Sequence, residues 1–476
     1  MKFKKLFSLK YWAIALSFLI VTCGCSAQQA AEQGWKDLPL ILKNIVHPTF
    51  ANRDYSILNY GAKADGKTDC LPAIKAAISK CSKDGGGRVI IPAGTYFVKG
   101  PIHLQNNVNL HLGENAVLKF STDDNDYLPV VLTRFEGVEL MNYSPLIYAY
   151  GQTNIAVTGK GVLDGQADND HWWNWVGKKS FGWKEGMPKQ SDKENEPALM
   201  EMAAKGVPVK DRVFGKGHCM RPTFVEFYDC KNILIQGVTI INTPFWILHP
   251  TLSENITIDG VTITSLGPNN DGCDPESCTN VLIKNCLFTN GDDCIAIKSG
   301  RDADGRRINV PSKNIIVQNC QMKDGHGGVV IGSETSGGVE NVYAENCVMS
   351  SKNLERAIRI KSNSCRGGVL KNFYFRNIKV GEVREAVVKV NMHYANNEKG
   401  ADCNYPPVLS RVYVQNVTSQ KSQYAIYIEG LDDKPVSNIY IGNCDFQNVA
   451  KENFIKDATE IHVTNTLING KKVKIN

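Results

Sequence analysis

One short template recurs along the chain and constrains the fold more than any other feature. The stretches Asn232 to Gly237, Asn255 to Gly260, Asn280 to Asn285, Asn314 to Asn319, Asn341 to Asn346, Asn372 to Asn377 and Asn438 to Asn443 each open on Asn, run through apolar residues and close on Gly or Asn. Asn154 to Gly159 is an earlier copy, and Arg411 to Asn416 a variant. The starts at 232, 255 and 280 lie 23 and 25 residues apart, with later gaps lengthened by insertions. Side chains alternate along a strand, so the first and third apolar residues of each run share a face. No single unit can bury that face alone. Stacked at the usual strand spacing of about 4.8 Å, such units form a parallel β-helix, an all-β solenoid.

The template explains the cysteines. Fifteen cysteines in an exported chain would ordinarily suggest a disulfide framework. Cys286, Cys320, Cys347 and Cys444, however, occupy one template position, just after the second polar residue. The expectation is mostly buried free thiols, behaving as small apolar groups.

At the N-terminus, Lys2, Lys4, Lys5 and Lys10 precede or flank an apolar run from Tyr11 to Thr22 that is too short to span a membrane. It has the form of a secretory leader over 1–27. Cys25 after Gly24 offers a lipid anchor, whereas cleavage after Ala27 would release a soluble protein; a periplasmic, outer-membrane-anchored or secreted destination is expected. Without those lysines, 50 basic residues face 48 acidic ones, which gives no argument for nucleic acid. Residues 28–54 read as a polar linker and 55–476 as a single β-helix domain. Thr68 or Asp69 offers an N-cap to a short capping helix with an apolar stripe at Leu71, Ile74, Ala77, Ile78 and Cys81, ended by Gly85 to Gly87. Between about 165 and 221 the period breaks. That insertion carries Trp172, Trp173, Trp175 and Trp183, which suit either sugar binding or anchoring the loop.

The chemistry is concentrated where apolar runs are punctuated by charge. Asp271 and Asp274 precede one run, and the adjacent pair Asp292 and Asp293 precedes the next. Carboxylates beside buried strands are costly unless solvated, hydrogen-bonded or used. His326 follows between glycines, and Arg359 and Lys361 lie two apart on a strand, so both leave by one face. Neighbouring residues in a regular strand point apart, so Asp292 and Asp293 share a site only where alternation breaks; Gly291 makes a turn plausible there. Asn269 begins the first acidic motif, and Trp246 and His249 fall about one coil earlier.

These motifs, Asn269-Asn270-Asp271, Asp292-Asp293, Gly325-His326-Gly327 and Arg359-Ile360-Lys361, in that order, resemble those of glycoside hydrolase family 28, the polygalacturonases and their relatives. The resemblance runs from about Tyr55 to the end, with Asn270 where Thr is usual and Cys273 where an aromatic residue is common. It implies a right-handed parallel β-helix and hydrolysis of α-1,4-galacturonosidic bonds in pectin with inversion, without metal or other cofactor. Asp292 would be the general acid, Asp271 and Asp293 would hold the attacking water, and His326 would tune Asp292. Arg359 and Lys361 would bind a uronate carboxylate of a pectic poly- or oligosaccharide, with Asn269 beside them; Trp246 and His249, one coil earlier by spacing, are candidates to line the same cleft or to pack a turn. Inversion calls for roughly 6.5–9.5 Å between acid and base. The crowding of carboxylates should raise at least one of their pKa values. A closed-ended cleft, exo action and a monomer are expected. Rhamnogalacturonan or xylogalacturonan hydrolysis, a calcium-dependent lyase using Asp271, Asp274, Asp292 and Asp293, and a non-catalytic polysaccharide-binding solenoid stay open at this point.

Overall fold

The computed structural model describes residues 27–395 and 403–473; the leader expected over 1–27, with Cys25, lies outside them except for Ala27. The template strands stack in chain order into a 13-stranded sheet that starts at Asp54–Ser56 and ends at Ala458–Thr464, with every neighbouring pair parallel. Its physical basis is visible in the opening asparagines. Each adopts a left-handed backbone conformation, with φ of 54° at Asn154, 56° at Asn232 and 58° at Asn255. Asn tolerates that conformation better than other non-glycine residues. Each side-chain amide then donates to the asparagine one coil earlier, from Asn154 to Asn107, Asn232 to Asn154, and onward to Asn372, at 2.9–3.3 Å. The repeat thus records a hydrogen-bonded ladder as well as an apolar one.

A 14-stranded sheet forms the second face of the coil, and a third face is built from a 3-stranded and a 6-stranded sheet joined by single bridges through Leu248, Thr251, Cys273 and Glu276. Together they make a right-handed parallel β-helix. The core runs down its axis and includes Ile233, Ile256, Val281, Ile315, Val342 and Phe373 in register. Cys286, Cys320, Cys347 and Cys444 lie inside it as free thiols. One disulfide does form, Cys365–Cys403, tying the loop after Lys361 to the segment before Val408–Gln415.

The capping helix spans Leu71–Lys83 and buries Leu71, Ile74, Ala77, Ile78 and Cys81, the expected stripe. Its N-cap is Cys70, one residue later than expected; the Asp69 carboxylate instead accepts from the Leu71 and Lys99 amides. The expected linker is largely helical, over 27–43. Ala31, Trp35 and Leu38 of this helix cover Leu282, Ile316, Tyr343, Tyr374, Tyr413 and Tyr440. These are the middle residues of successive templates, which alternation turns outward, and an apolar outward row needs a cover.

Two further segments roof the third face. An antiparallel hairpin pairs Val131–Phe135 with Val138–Asn142. The insertion, with its helix Glu196–Ala204, packs on that hairpin around Phe135, Leu140, Leu199, Phe214, Phe245 and Trp246. Three of its tryptophans are anchors: Trp172 is buried edge-on to Tyr127 and Trp175, Trp175 packs against the core, and the Trp173 indole donates to the Thr243 carbonyl.

Candidate active site

Register along the third face decides which side chains reach the site. Val225, Leu248, Cys273, Ile295, Val329 and Ile358 form one inward row. Residues one place on point outward, so Ala296, Val330, Arg359, Lys389 and Tyr427 make a row on the outer face. A second outward row contains Tyr228, Thr251, Glu276 and Lys298, and further along Lys361, Asn391 and Glu429. Arg359 and Lys361 therefore leave the sheet on the same side as Lys298, as the alternation argument requires.

The acidic loops arrive from the preceding turns. Gly291 has no room for a side chain, since a Cβ there would sit 2.0 Å from the Gly267 carbonyl oxygen, and this close approach holds the Asp292 loop against the Asp271 loop. Asp292 and Asp293 lie in a bend outside the strand Ile295–Ile297, where alternation does not apply. The Asp271 loop is fixed from inside: Asn270, fully buried, accepts from Ser265 Oγ and the Gly267 amide and donates to the Phe245 carbonyl. The Thr-to-Asn departure therefore concerns the scaffold and leaves the reacting groups in place.

Oxygens of Asp271, Asp292 and Asp293 converge to within 4.8 Å of one another. Their environments differ. Asp293 is fully buried, and the Lys361 ammonium donates to its Oδ2 at 2.7 Å while Arg359 Nη1 lies 3.3 Å from Oδ1. Burial works against its ionisation, but Lys361 and Arg359 prevail and hold this carboxyl well below the usual range. Asp271 shows the opposite balance: burial, then Asp274 and Asp292, push it well above that range despite Lys298 at 3.8 Å. Asp292 has an 18 % exposed side chain against none for Asp293, and His326 Nδ1 lies 2.9 Å from its Oδ1. This hydrogen bond outweighs partial burial and raises the His326 pKa.

The surrounding cavity, of about 350 Å³, is lined by Asp271, Asp292, Asn269, Trp246, Lys298, Lys361 and Tyr394, and at its far wall by Glu136, Glu196, Arg301, Glu334 and Arg366. Asn269 faces it while accepting at 2.8 Å from Arg221. Trp246 presents one ring face to Lys298, whose ammonium is 4.3 Å from the centroid. His249 does not reach the cavity. It is wholly buried behind Trp246, with Nε2 2.8 Å from Glu276 and Nδ1 3.6 Å from Glu226, because its rung is roofed by the hairpin.

Lys298 is the residue that sequence reasoning missed. It is buried between Glu334 at 3.0 Å, Asp274 at 3.6 Å and Asp271 at 3.8 Å. Burial opposes its charge, but these three carboxylates raise its pKa well above the ordinary lysine value. The parity that places Arg359 and Lys361 outward applies equally to Ala296 and Lys298, so the signal was present. Glu334 is held ionised by Lys298 and Arg366 against its own burial. Glu136 pairs with Arg301 at 2.9 Å, yet burial and Glu196 push it up to about 8.

The expected 6.5–9.5 Å acid–base separation is not what the site presents, since the facing oxygens are closer than 4.8 Å. Stacked coils permit this: Asp271 and Asp292 sit in loops of neighbouring coils, whose backbones lie about 4.8 Å apart, so their carboxyls can approach that closely.

Comparison with known proteins agrees with this geometry. The family model described as glycosyl hydrolases family 28 matches residues 212–466. Among solved structures, an exopolygalacturonase from Thermotoga maritima is 48% identical, with a TM-score of 0.88 over 92% of this chain and 96% of that one. The Yersinia enterocolitica family 28 exopolygalacturonase is 25% identical, with a TM-score of 0.67 over 89% of this chain and 80% of that one. A Dickeya chrysanthemi exo-poly-alpha-D-galacturonosidase is 28% identical, the match covering 80% of this chain and 65% of its relative. With its four motifs meeting at one cluster of carboxylates on a right-handed β-helix, the chain belongs to glycosyl hydrolase family 28.

Proposed function

We propose that the protein is an exo-acting polygalacturonase that hydrolyses the terminal α-1,4-galacturonosidic bond of pectic chains. The observation that carries this reading is the roof over one end of the outward face. Arg134 of the hairpin, fully buried, pairs with Glu276 at 3.2 Å, and Thr133 bonds Glu226, so the rungs before Asp274 are sealed. A chain end can enter the cavity, but the middle of a polymer has no exit past that wall.

In this reading Asp292, the carboxyl most open to the cavity, protonates the glycosidic oxygen. Asp293, kept ionised by Lys361 and Arg359, and Asp271 hold the water that attacks the anomeric carbon. Burial and the neighbouring carboxylates raise the Asp271 pKa well above the usual carboxylate range, a basicity that suits it to take a proton from the attacking water. The cations Lys298, Arg301, Arg359 and Lys361 favour a uronate over a neutral sugar. They also bear on the lyase alternative: three oxygens within 4.8 Å suit a divalent cation, but Lys361, Arg359 and Lys298 already neutralise this carboxylate group. By separation alone the pair is nearer the roughly 5–5.5 Å of retaining enzymes. We assign inversion because Asp293 is engaged by two cations, which makes it a poor nucleophile.

The test is proton NMR of the first product formed from trigalacturonate, in chelator, with ultraviolet absorbance followed alongside. A β-configured product without absorbance supports inverting hydrolysis. An α-configured product would overturn inversion, and absorbing products would move the assignment to elimination. We further propose export, with Cys25 as lipid attachment site; palmitate labelling that persists in Cys25→Ser would exclude that attachment.

A further inference from the structure

Beyond the cavity, the outward row continues toward the C-terminal coils as Arg359, Lys389, Tyr427 and Phe454, each one rung from the last. Three rungs span on the order of 14 Å at the usual strand spacing, room for more than one sugar residue. Tyr427 and Phe454 stack with centroids 4.7 Å apart and planes within 21°, and Tyr424 meets Tyr427 edge-on. Lys389 sits over the Tyr427 ring at 4.7 Å and Lys451 over Tyr424 at 5.1 Å. All three rings are partly exposed.

The charges beside this platform do not cancel. Arg356 contacts both Glu355 and Glu385, Arg384 shares Glu355, and Lys389 shares Glu385; with Lys451 over Tyr424 and Glu429 on the Tyr427 hydroxyl, four cations face three carboxylates. Glu429 accepts from the Tyr427 hydroxyl at 3.0 Å and so fixes the ring. An aromatic surface flanked by surplus positive charge, continuous with Arg359, fits a polyanionic sugar chain better than it fits solvent.

Resting on the exo-polygalacturonase reading, we propose that Lys389, Tyr427 and Phe454 form a distal subsite for the leaving part of the polygalacturonate chain, the sugars stacking on the rings and a carboxylate meeting Lys389 and Arg356. The blind end fixes the direction: the terminal residue enters under the hairpin, and the remainder lies along this row. Binding energy gained there is available to the reacting end of long substrates and denied to short ones.

The experiment compares kcat/KM on digalacturonate and hexagalacturonate for the wild type, Tyr427→Ala and Lys389→Met. The expected wild-type hexamer-to-dimer ratio exceeds unity, and each variant lowers it about three- to tenfold, the range for loss of one aromatic or charged contact. Lys389→Met keeps the packing over Tyr427, so it reports even where Tyr427→Ala fails to fold. A ratio that ignores chain length, or that both variants leave intact, overturns the distal subsite alone. No turnover on either oligomer overturns the galacturonidase reading and this inference with it.

Discussion

The two ends of the third face turn charged and polar residues outward from different rungs of one row and put them to different use. Toward the N-terminus, Glu226, His249, Glu276 and Arg134 form a buried network under the hairpin. Toward the C-terminus, Arg359, with Tyr394 beside it, Lys389 and Tyr427 continue the same outward row, and among the described residues the hairpin does not reach them. The coil supplies a polar outer face along its length; what is laid on top decides whether charge becomes structure or a binding groove. The carboxylates proposed as catalytic sit at the boundary: Asp271 and Asp293 are buried among charges that shift their ionisation, and Asp292 is open enough to meet a substrate.

The largest expected effects come from the boundary itself. Asp292→Asn, Asp293→Asn and Asp271→Asn should each lower kcat on trigalacturonate by about 10²–10⁴-fold. A 4-nitrophenyl α-galacturonide, whose leaving group needs no protonation, separates their roles. Asp292→Asn should recover most of its loss on that substrate, and Asp271→Asn should not; the reverse pattern would exchange acid and base.

Next comes the roof. Arg134→Met removes one of the two partners of buried Glu276 and leaves it His249 alone, and breaking a buried pair costs up to about 3–5 kcal/mol. Urea denaturation checks the stability loss. In whatever fraction folds, products longer than the terminal unit should appear, because the wall is loosened; products of unchanged length would detach the hairpin from the mode of action.

Smaller effects concern pH. Asp293 is held below its ordinary range by Lys361 and Arg359, so its ionised form is lost only at low pH. Lys361→Met should move the acid limb of the kcat/KM profile upward, toward the ordinary carboxylate value of about 4, and a limb that stays in place would show that Asp293 does not control it. For stability the sign reverses at Asp274, which is buried 3.6 Å from Lys298 with neither oxygen hydrogen-bonded. Its raised pKa, caused by burial and not offset by Lys298, favours the folded state most below the unfolded value, with that contribution lost as pH rises. Asp274→Asn should therefore flatten the fall in Tm between about pH 5 and 7; an unchanged slope would place the proton elsewhere.

Much of this was legible because the coil writes its geometry into spacing. The asparagine ladder fixed the repeat, and parity placed Arg359 and Lys361 on the outer face. The same parity marks Lys298 and the outward tyrosines under the helix over 27–43, but both demand that the middle residue of a run be read as carefully as its ends. What spacing does not encode is contact between segments far apart in sequence. The hairpin at Val131–Asn142 reads as two more coil strands, and nothing local shows that Arg134 meets Glu276. For that reason His249 seemed to belong to the cleft, and Arg359 and Lys361 showed no sign that their first partner is Asp293.

The central claim, that a sealed coil face makes this enzyme act from chain ends, is tested most directly by the early products of hexagalacturonate. Under initial-rate conditions in chelator, chromatography should show the terminal unit and the complementary shorter oligomer, with no ultraviolet absorbance. An early mixture of internal fragments would contradict the account.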